Sequence, residues 1–261
     1  MPVTIDEIER AAALLHQAAK NRVAIPQLSK TFPQMGIEDA YRVQGAWAKL
    51  QAADGARVIG QKIGLTSRAM QIASAMTEPD YGQIFENAVF SDGASIPADR
   101  FLKPRLEVEL AFVLSSNLEG PGVRVHDVLR ATEYITPAIE IIDYRTEVPR
   151  KIVDTIADNA AFGALVLGGR IVRPMDVDIR WVGATLSKNG VIEETGVSAA
   201  VMGHPAAGIA WLANKLANVG AKLSKGQLVL AGSFTRPVDI VSGDVLHADY
   251  GPLGSIGVSI R

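Results

Sequence analysis

Two apolar runs in this chain carry acid where a buried strand calls for hydrocarbon. The stretch Arg105-Leu106-Glu107-Val108-Glu109-Leu110-Ala111-Phe112-Val113-Leu114 has the β-branched and aromatic texture of a strand. Side chains alternate faces along a strand, so Glu107, Glu109, Ala111 and Val113 point one way and Val108, Leu110, Phe112 and Leu114 the other. Two carboxylates then stand about 7 Å apart on a face that turns apolar within two residues. A second run, Ile135-Thr136-Pro137-Ala138-Ile139-Glu140-Ile141-Ile142-Asp143, sets Glu140 among aliphatic neighbours. Uncompensated carboxylates in such surroundings are costly. Either these glutamates line a solvated face and pair with Lys103, Arg105 and Arg145, or they hold a hard divalent cation. Three oxygen donors that leave open positions suit Mg²⁺ or Mn²⁺. Glu140, between Ala-Ile and Ile-Ile, is difficult to place on a solvated face and favours the cation.

The rest of the composition narrows the class. At 261 residues the chain can bury a full core. Hydrophobic residues at 48% and charged residues at 21% are those of an ordered globular protein. A net charge of −2 provides no general attraction for nucleic acid or for an anionic membrane. The absence of cysteine excludes disulfides, thiolate metal sites and a cysteine nucleophile. Asp6, Glu7 and Glu9 near the N-terminus do not suit a secretory signal. No stretch approaches the roughly 20 apolar residues of a membrane span. A cytoplasmic location is expected, and the mean hydropathy of +0.17 hints at a homo-oligomer with buried subunit contacts.

Thr4-Ile5-Asp6-Glu7 is a capping-box pattern ahead of Ile5, Ile8, Ala12, Leu15 and Ala19 at helical spacing. Ile37, Tyr41, Gln44, Trp47 and Leu50 predict a second helix after Gly36. These features predict a helical N-terminal segment over residues 1–60 and a β-roll domain over 61–261, where any catalytic groups are expected. From Val58 the texture becomes short β-branched runs between Gly, Pro, Asp and Asn. Strands are expected at 105–115, 135–143, 162–167, 182–187, 227–231, 238–241, 244–250 and 255–260. Many short strands with turn signals argue for an α+β chain with a mixed β-roll or barrel-like core. One helix is inserted, with Pro205 near its start, a stripe of Ile209, Leu212, Leu216 and Val219, and Gly220 as its stop. Trp211 on that helix reads as core or subunit contact.

Several chemistries are missing. There is no P-loop, no dinucleotide fingerprint and no G-x-S-x-G elbow, and His16, His126, His204 and His247 are scattered. Lys62 in Gln61-Lys62-Ile63-Gly64-Leu65-Thr66-Ser67 sits beside an apolar residue and a glycine-led turn. It is either a surface lysine or a partly desolvated proton carrier. Glu78-Pro79-Asp80-Tyr81-Gly82 has turn composition, so Asp80 is a turn former or an acid. Asp158-Asn159 and Gly232-Ser233-Phe234-Thr235-Arg236-Pro237 are polar clusters after apolar runs, suited to turns or to substrate contact.

In that order, Lys62-Ile63-Gly64-Leu65-Thr66-Ser67, Glu78-Pro79-Asp80-Tyr81-Gly82, Glu107-Val108-Glu109, Glu140 and Gly232-Ser233-Phe234-Thr235-Arg236-Pro237-Val238 resemble the fumarylacetoacetate hydrolase superfamily, within its hydratase and decarboxylase branch. The resemblance runs from Phe32-Pro33 to the C-terminus. It implies a mixed β-roll, a Mg²⁺ or Mn²⁺ held by Glu107, Glu109 and Glu140, and a small 2-oxo acid as substrate. Lys62 and Asp80 are implied in proton transfer. Leu65, Asp158, Asn159, Ser233, Thr235 and Arg236 are implied in substrate contact. The expected reaction is that of a hydro-lyase adding water to a 2-oxo-4-enoate of aromatic catabolism, most simply a seven-carbon dioate. Decarboxylation of an oxalocrotonate, hydration of a five-carbon monoacid, hydrolysis of an acylpyruvate and a non-catalytic metal-binding assembly role are the alternatives. Arg236 is expected to read the distal carboxylate, against a salt bridge to Asp239 or another acid, with Arg145, Arg150 and Lys151 as rivals. Two departures are visible: Ala160-Ala161 follows Asp158-Asn159 where some relatives place serine, and the loop from Arg145 to Lys151 is short.

Overall fold

The computed structural model describes residues 3–261. Its helices are α1 (Ile5–Asn21), α2 (Leu28–Thr31), α3 (Ile37–Ala53), α4 (Arg68–Ala73), α5 (Val125–Ala131), α6 (Ile152–Ala157) and α7 (Pro205–Ala217). The strands up to the middle of the chain are β1 (Val58–Gly64), β2 (Asp80–Phe85), β3 (Val89–Ser91), β4 (Ala94–Ile96), β5 (Arg105–Leu114), β6 (Thr132–Ile142) and β7 (Phe162–Leu167). They are followed by β8 (Gly183–Lys188), β9 (Val191–Val197), β10 (Leu228–Leu230), β11 (Val238–Asp239), β12 (Val245–Asp249) and β13 (Ser255–Ile260).

Local signals explain most of these boundaries. At the start of α1 the Glu7 amide donates to Thr4 Oγ1 at 3.2 Å and the Thr4 amide donates back to Glu7 Oε2 at 2.9 Å. The inserted helix α7 is capped by His204 and carries Pro205 in its first turn. It ends at Ala217, before Val219, which stands exposed, and Gly220 follows with φ +68°. Two expectations change. The segment opening at Asp80 is not a turn but the first residue of β2, where Asp80 pairs with Gly64 across an antiparallel ladder. Strands β1, β3, β4 and β9 fall outside the expected strands; β3 and β4 are only three residues long, and β9 is mostly exposed with no burial alternation.

The larger sheet has the order β2-β1-β10-β5-β6-β7-β3, with β11 paired to β5. The smaller runs β4-β13-β12-β8-β9. Strands β1 and β10, β3 and β7, and β4 and β13 run parallel, and the other ladders are antiparallel. Both sheets keep free ends, so among the described residues the roll is open and no ladder closes a barrel. Leu106, Val108, Leu110, Phe112 and Leu114 of β5 pack with Leu246, Ala248, Ile256 and Val258 of the smaller sheet and with α7. Ala111 and Val113 face the opposite way, into a second core with α1, α3 and α6. A sheet covered on both faces explains why β5 and β6 are so apolar along their length. The glutamates interrupt the helix-side face. None of the helices among the described residues is long and apolar enough to cross a membrane.

One buried ion pair joins the helical layer to this face. Arg145 donates from Nε and from its backbone amide to the Asp158 carboxylate, and from its terminal nitrogens to the carbonyls of Asp158 and Phe162. The guanidinium lies over the Trp47 ring of α3, 5.2 Å from its centroid. Replacing Asp158 by Ala would strand the Arg145 charge in the core. Urea unfolding of Asp158→Ala should show a loss of about 3–5 kcal/mol. A loss typical of a surface pair, below about 1 kcal/mol, would show that the pair does not hold this layer.

Candidate active site

Strand geometry assembles the acidic cluster. Glu107 and Glu109 are two residues apart on one face of β5, and Glu107 is the register partner of Glu140 on β6. One carboxylate oxygen from each of the three residues falls within 4.8 Å of the others. Glu109 and Glu140 are buried, at 1% and 0% exposure, and Glu107 opens toward a cavity. Among the described residues neither oxygen of Glu140 accepts a hydrogen bond. Glu109 Oε2 accepts from the Gly232 amide at 2.9 Å. Gly232 has φ +116°, and a Cβ there would lie 2.4 Å from Thr66 Oγ1, so only glycine lets that amide reach the carboxylate.

Lys62 on β1 enters the same face. Its Nζ lies 3.3 Å from Glu140 Oε1 and donates to the Ala160 carbonyl at 3.0 Å, with the side chain 4% exposed. Asp80 is buried beside it, and its Oδ1 accepts no hydrogen bond among the described residues. Gly64 makes room for this carboxylate: a Cβ there would stand 2.2 Å from Asp80 Oδ1 and 3.5 Å from Lys62 Nζ.

Electrostatics follow from burial and crowding. Burial, reinforced by Glu140, pushes the Glu107 carboxyl up to about 7. Burial and the neighbouring Glu140 and Glu107 charges hold Glu109 well above the usual carboxylate range. Burial raises Glu140 and Asp80 as well, with Lys62 opposing the rise in both. Burial alone would weaken the Lys62 ammonium, but the charges of Glu140, Asp80, Glu107 and Glu109 together leave it a weaker acid than an ordinary lysine. Four carboxylates thus face one ammonium. The three converging carboxylates, with neither oxygen of Glu140 accepting a hydrogen bond, fit a hard divalent cation held by Glu107, Glu109 and Glu140.

The carbonyl that receives Lys62 is held by an unusual turn. Asn159, Ala160 and Ala161 have φ values of +55°, +48° and +61°, a left-handed stretch without glycine. Such a conformation costs roughly 1–2 kcal/mol per residue. The Arg145–Asp158 pair offsets part of it. So does Asn159, whose Nδ2 donates to the Gln83 carbonyl at 2.8 Å while its Oδ1 accepts from the Gln83 amide at 2.7 Å. Nothing in the side chain of Ala160 signals this role, because its carbonyl performs it.

A cavity of about 640 Å³ opens over the cluster. Of the residues singled out in the sequence, Lys62, Leu65, Asp80, Glu107, Ser233, Thr235 and Arg236 line it. Glu109 and Glu140 do not line it, and neither do Asp158 and Asn159. The side chains of Asp158 and Asn159 bond Arg145 and Gln83 instead. Ser233 and Thr235 reach the cavity, but their hydroxyls tie the loop to β5: Ser233 Oγ donates to the Thr235 carbonyl at 2.8 Å, and the Val108 amide donates to Thr235 Oγ1 at 3.3 Å. Arg236 is 83% exposed and pairs with Glu194 Oε1 at 2.8 Å, whereas Asp239 is held by Arg105. Arg145 is buried in its own ion pair and is unavailable as a reader of substrate. Thr66, Tyr144 and Arg105 also line the cavity. Of these, Arg105 had a readable signal, since it shares the face of Glu107 at strand spacing.

Known proteins share this architecture. The fumarylacetoacetate (FAA) hydrolase C-terminal family model matches residues 46–261. A 2-oxo-hept-4-ene-1,7-dioate hydratase of Escherichia coli is 52% identical over 252 residues, with 94% of each chain covered. A 4-oxalocrotonate decarboxylase of Pseudomonas sp. (strain CF600) is 33% identical, with 97% of each chain covered. Among solved structures, 4-oxalocrotonate decarboxylase from Pseudomonas putida G7, complexed with magnesium and adipate, superposes with a TM-score of 0.97 at 32% identity and 99% coverage of both chains. An open roll of this topology, a carboxylate trio on its central strands and a family match over most of the chain lead to one conclusion: this protein belongs to the fumarylacetoacetate hydrolase family.

Proposed function

We propose that this chain is a divalent-metal-dependent hydro-lyase that adds water to 2-oxo-hept-4-ene-1,7-dioate, giving 4-hydroxy-2-oxoheptanedioate. The observation that carries the reading is a three-carboxylate cluster beside Lys62 and Asp80, in a chain 52% identical to a hydratase of that substrate. Glu107, Glu109 and Glu140 are the proposed ligands of Mg²⁺ or Mn²⁺. Once bound, such an ion supplies Lewis-acid polarisation of the 2-oxo group.

The remaining chemistry falls to the chain's own groups. Hydration requires a proton to leave C3 and another to arrive at C5, which moves the double bond into conjugation with the 2-oxo group. Water then adds its oxygen at C4 and its hydrogen at C3. Asp80, raised by burial, is a stronger base than an ordinary carboxylate and takes the C3 proton at Oδ. Lys62 stays an ammonium among four carboxylates and presents its Nζ proton toward C5. The Ala160 carbonyl and Glu140 orient that ammonium. Leu65, with φ +55° at the end of β1, shapes the wall beside the 2-oxo carboxylate.

The five-carbon and seven-carbon substrates and oxalocrotonate, assayed side by side by ultraviolet absorbance and product mass, separate addition of water from loss of CO₂. Release of CO₂ from oxalocrotonate with no hydrated product would replace this reading by decarboxylation, the reaction named for the solved structure with a TM-score of 0.97.

Three outcomes follow from the geometry. Carboxyls raised by burial bind protons in the folded chain that they release on unfolding, so the ion-free protein should lose stability as pH climbs from about 5 to about 8. Added Mg²⁺ should restore it, most strongly at the alkaline end, and Glu109→Gln should blunt that thermal shift. A shift independent of pH and of Glu109 would contradict the ligand assignment. Lys62→Met should keep the Mg²⁺-induced shift but lose about 10²–10⁴ in kcat. Near-normal kcat in that variant would make Lys62 structural. Gly64→Ala, whose Cβ would sit 2.2 Å from Asp80 Oδ1, should lower kcat while leaving the metal-induced shift intact. Retained kcat would remove Asp80 from the reaction.

A further inference from the structure

Arg105 occupies a position that the acidic cluster leaves unexplained. It stands two residues before Glu107 on the same face of β5, so their Cα atoms are about 7 Å apart along the strand. Arg105 is also the register partner of Asp239 on β11 and of Ile142 on β6. Its Nε donates to Asp239 Oδ1 at 2.7 Å, and this is the one hydrogen bond its side chain makes among the described residues. The cross-strand pair therefore anchors the guanidinium by its inner nitrogen. Nη1 and Nη2, the two that form a fork, are left without an acceptor from the chain.

The surroundings suit a carboxylate at the end of a short hydrocarbon. The cavity that Glu107 and Arg105 share is also lined by Ile142, Tyr144, Phe234 and Pro237, which offer apolar contact to methylene groups. The Arg105 side chain is 37% exposed, less than half the exposure of Arg236. Arg236, the other arginine of the cavity, is 83% exposed and already pairs with Glu194. A planar fork can donate to both oxygens of a carboxylate at once, which a lysine cannot match.

We propose that Arg105, anchored by Asp239, is the residue that selects for a second carboxylate at the far end of the substrate. The assignment rests on the hydratase reading above for the identity of the dioate, but not for the presence of a dicarboxylate site. Two measurements keep these apart. In the first, kcat/KM is compared for the seven-carbon dioate and the five-carbon monoacid in the wild type, Arg105→Met, Arg105→Lys and Arg236→Met. Arg105→Met should reduce the dioate-to-monoacid ratio by about 10- to 100-fold, carried mainly by KM. Arg105→Lys keeps a charge for Asp239 but no fork, so it should fall between the wild type and Arg105→Met. In the second, calorimetry on the Mg²⁺-loaded protein compares adipate with hexanoate, ligands of equal chain length that differ in the distal carboxylate. Arg105→Met should abolish the preference for adipate.

If the wild type prefers adipate and loses that preference in Arg105→Met, yet does not hydrate the dioate, the substrate reading fails and the Arg105 assignment stands. Equal losses on both members of each pair would overturn the assignment and make Arg105 a structural partner of Asp239. A larger fall in the ratio for Arg236→Met than for Arg105→Met would also overturn it and transfer the role to Arg236. Retention of the Mg²⁺-induced thermal shift in each variant verifies that the cluster is still assembled.

Discussion

An excess of negative charge on the helix-side face of one sheet is the constraint on which the rest depends. Glu107 and Glu140 are cross-strand partners, Glu109 is one pleat away, and Asp80 approaches from the neighbouring edge. A single ammonium, Lys62, stands among them. In a core that is otherwise aliphatic, such an arrangement persists only where the surrounding structure leaves it no alternative. It is also the arrangement that makes the face a receptor for a cation and for an anionic, oxygen-rich ligand.

The scaffold answers this constraint mostly with backbone. A glycine amide at Gly232 steadies Glu109, a carbonyl at Ala160 steadies Lys62, and the missing side chain of Gly64 accommodates Asp80. The left-handed turn from Asn159 to Ala161 is tolerated because Arg145, Asp158 and Gln83 hold both of its ends. Backbone groups carry no net charge and have fixed positions, so they position the ionised side chains without adding to the crowding. Asp158 and Asn159 therefore matter to the cavity indirectly, by holding the wall that Lys62 leans on.

Polar side chains around the cavity divide into those bound to the protein and those facing open space. Ser233 and Thr235 belong to the first group, since their hydroxyls close the loop onto β5 beside the acidic residues. Arg236 is largely exposed and is paired with Glu194. Arg105 belongs partly to each group, with Nε committed to Asp239 and its two terminal nitrogens without an acceptor among the described residues. This division is decided by which acids the folded chain brings near each base, and local sequence carries little trace of it.

Strand periodicity alone put Glu107 and Glu109 on one face and predicted β5, β6, β7 and β13 within a few residues, because alternation and β-branching are local properties. The capping box at Thr4 and the Pro205 helix start were legible for the same reason. The order of motifs from Lys62 to Pro237 was enough to recognise the family. Other features needed the fold: that Glu140 lies opposite Glu107, that Asp80 begins a strand and not a turn, and that Asp158 belongs to Arg145. Each of these depends on register or on contacts between segments far apart in the chain. Periodicity determines which way a side chain points, and only tertiary packing decides what stands in front of it.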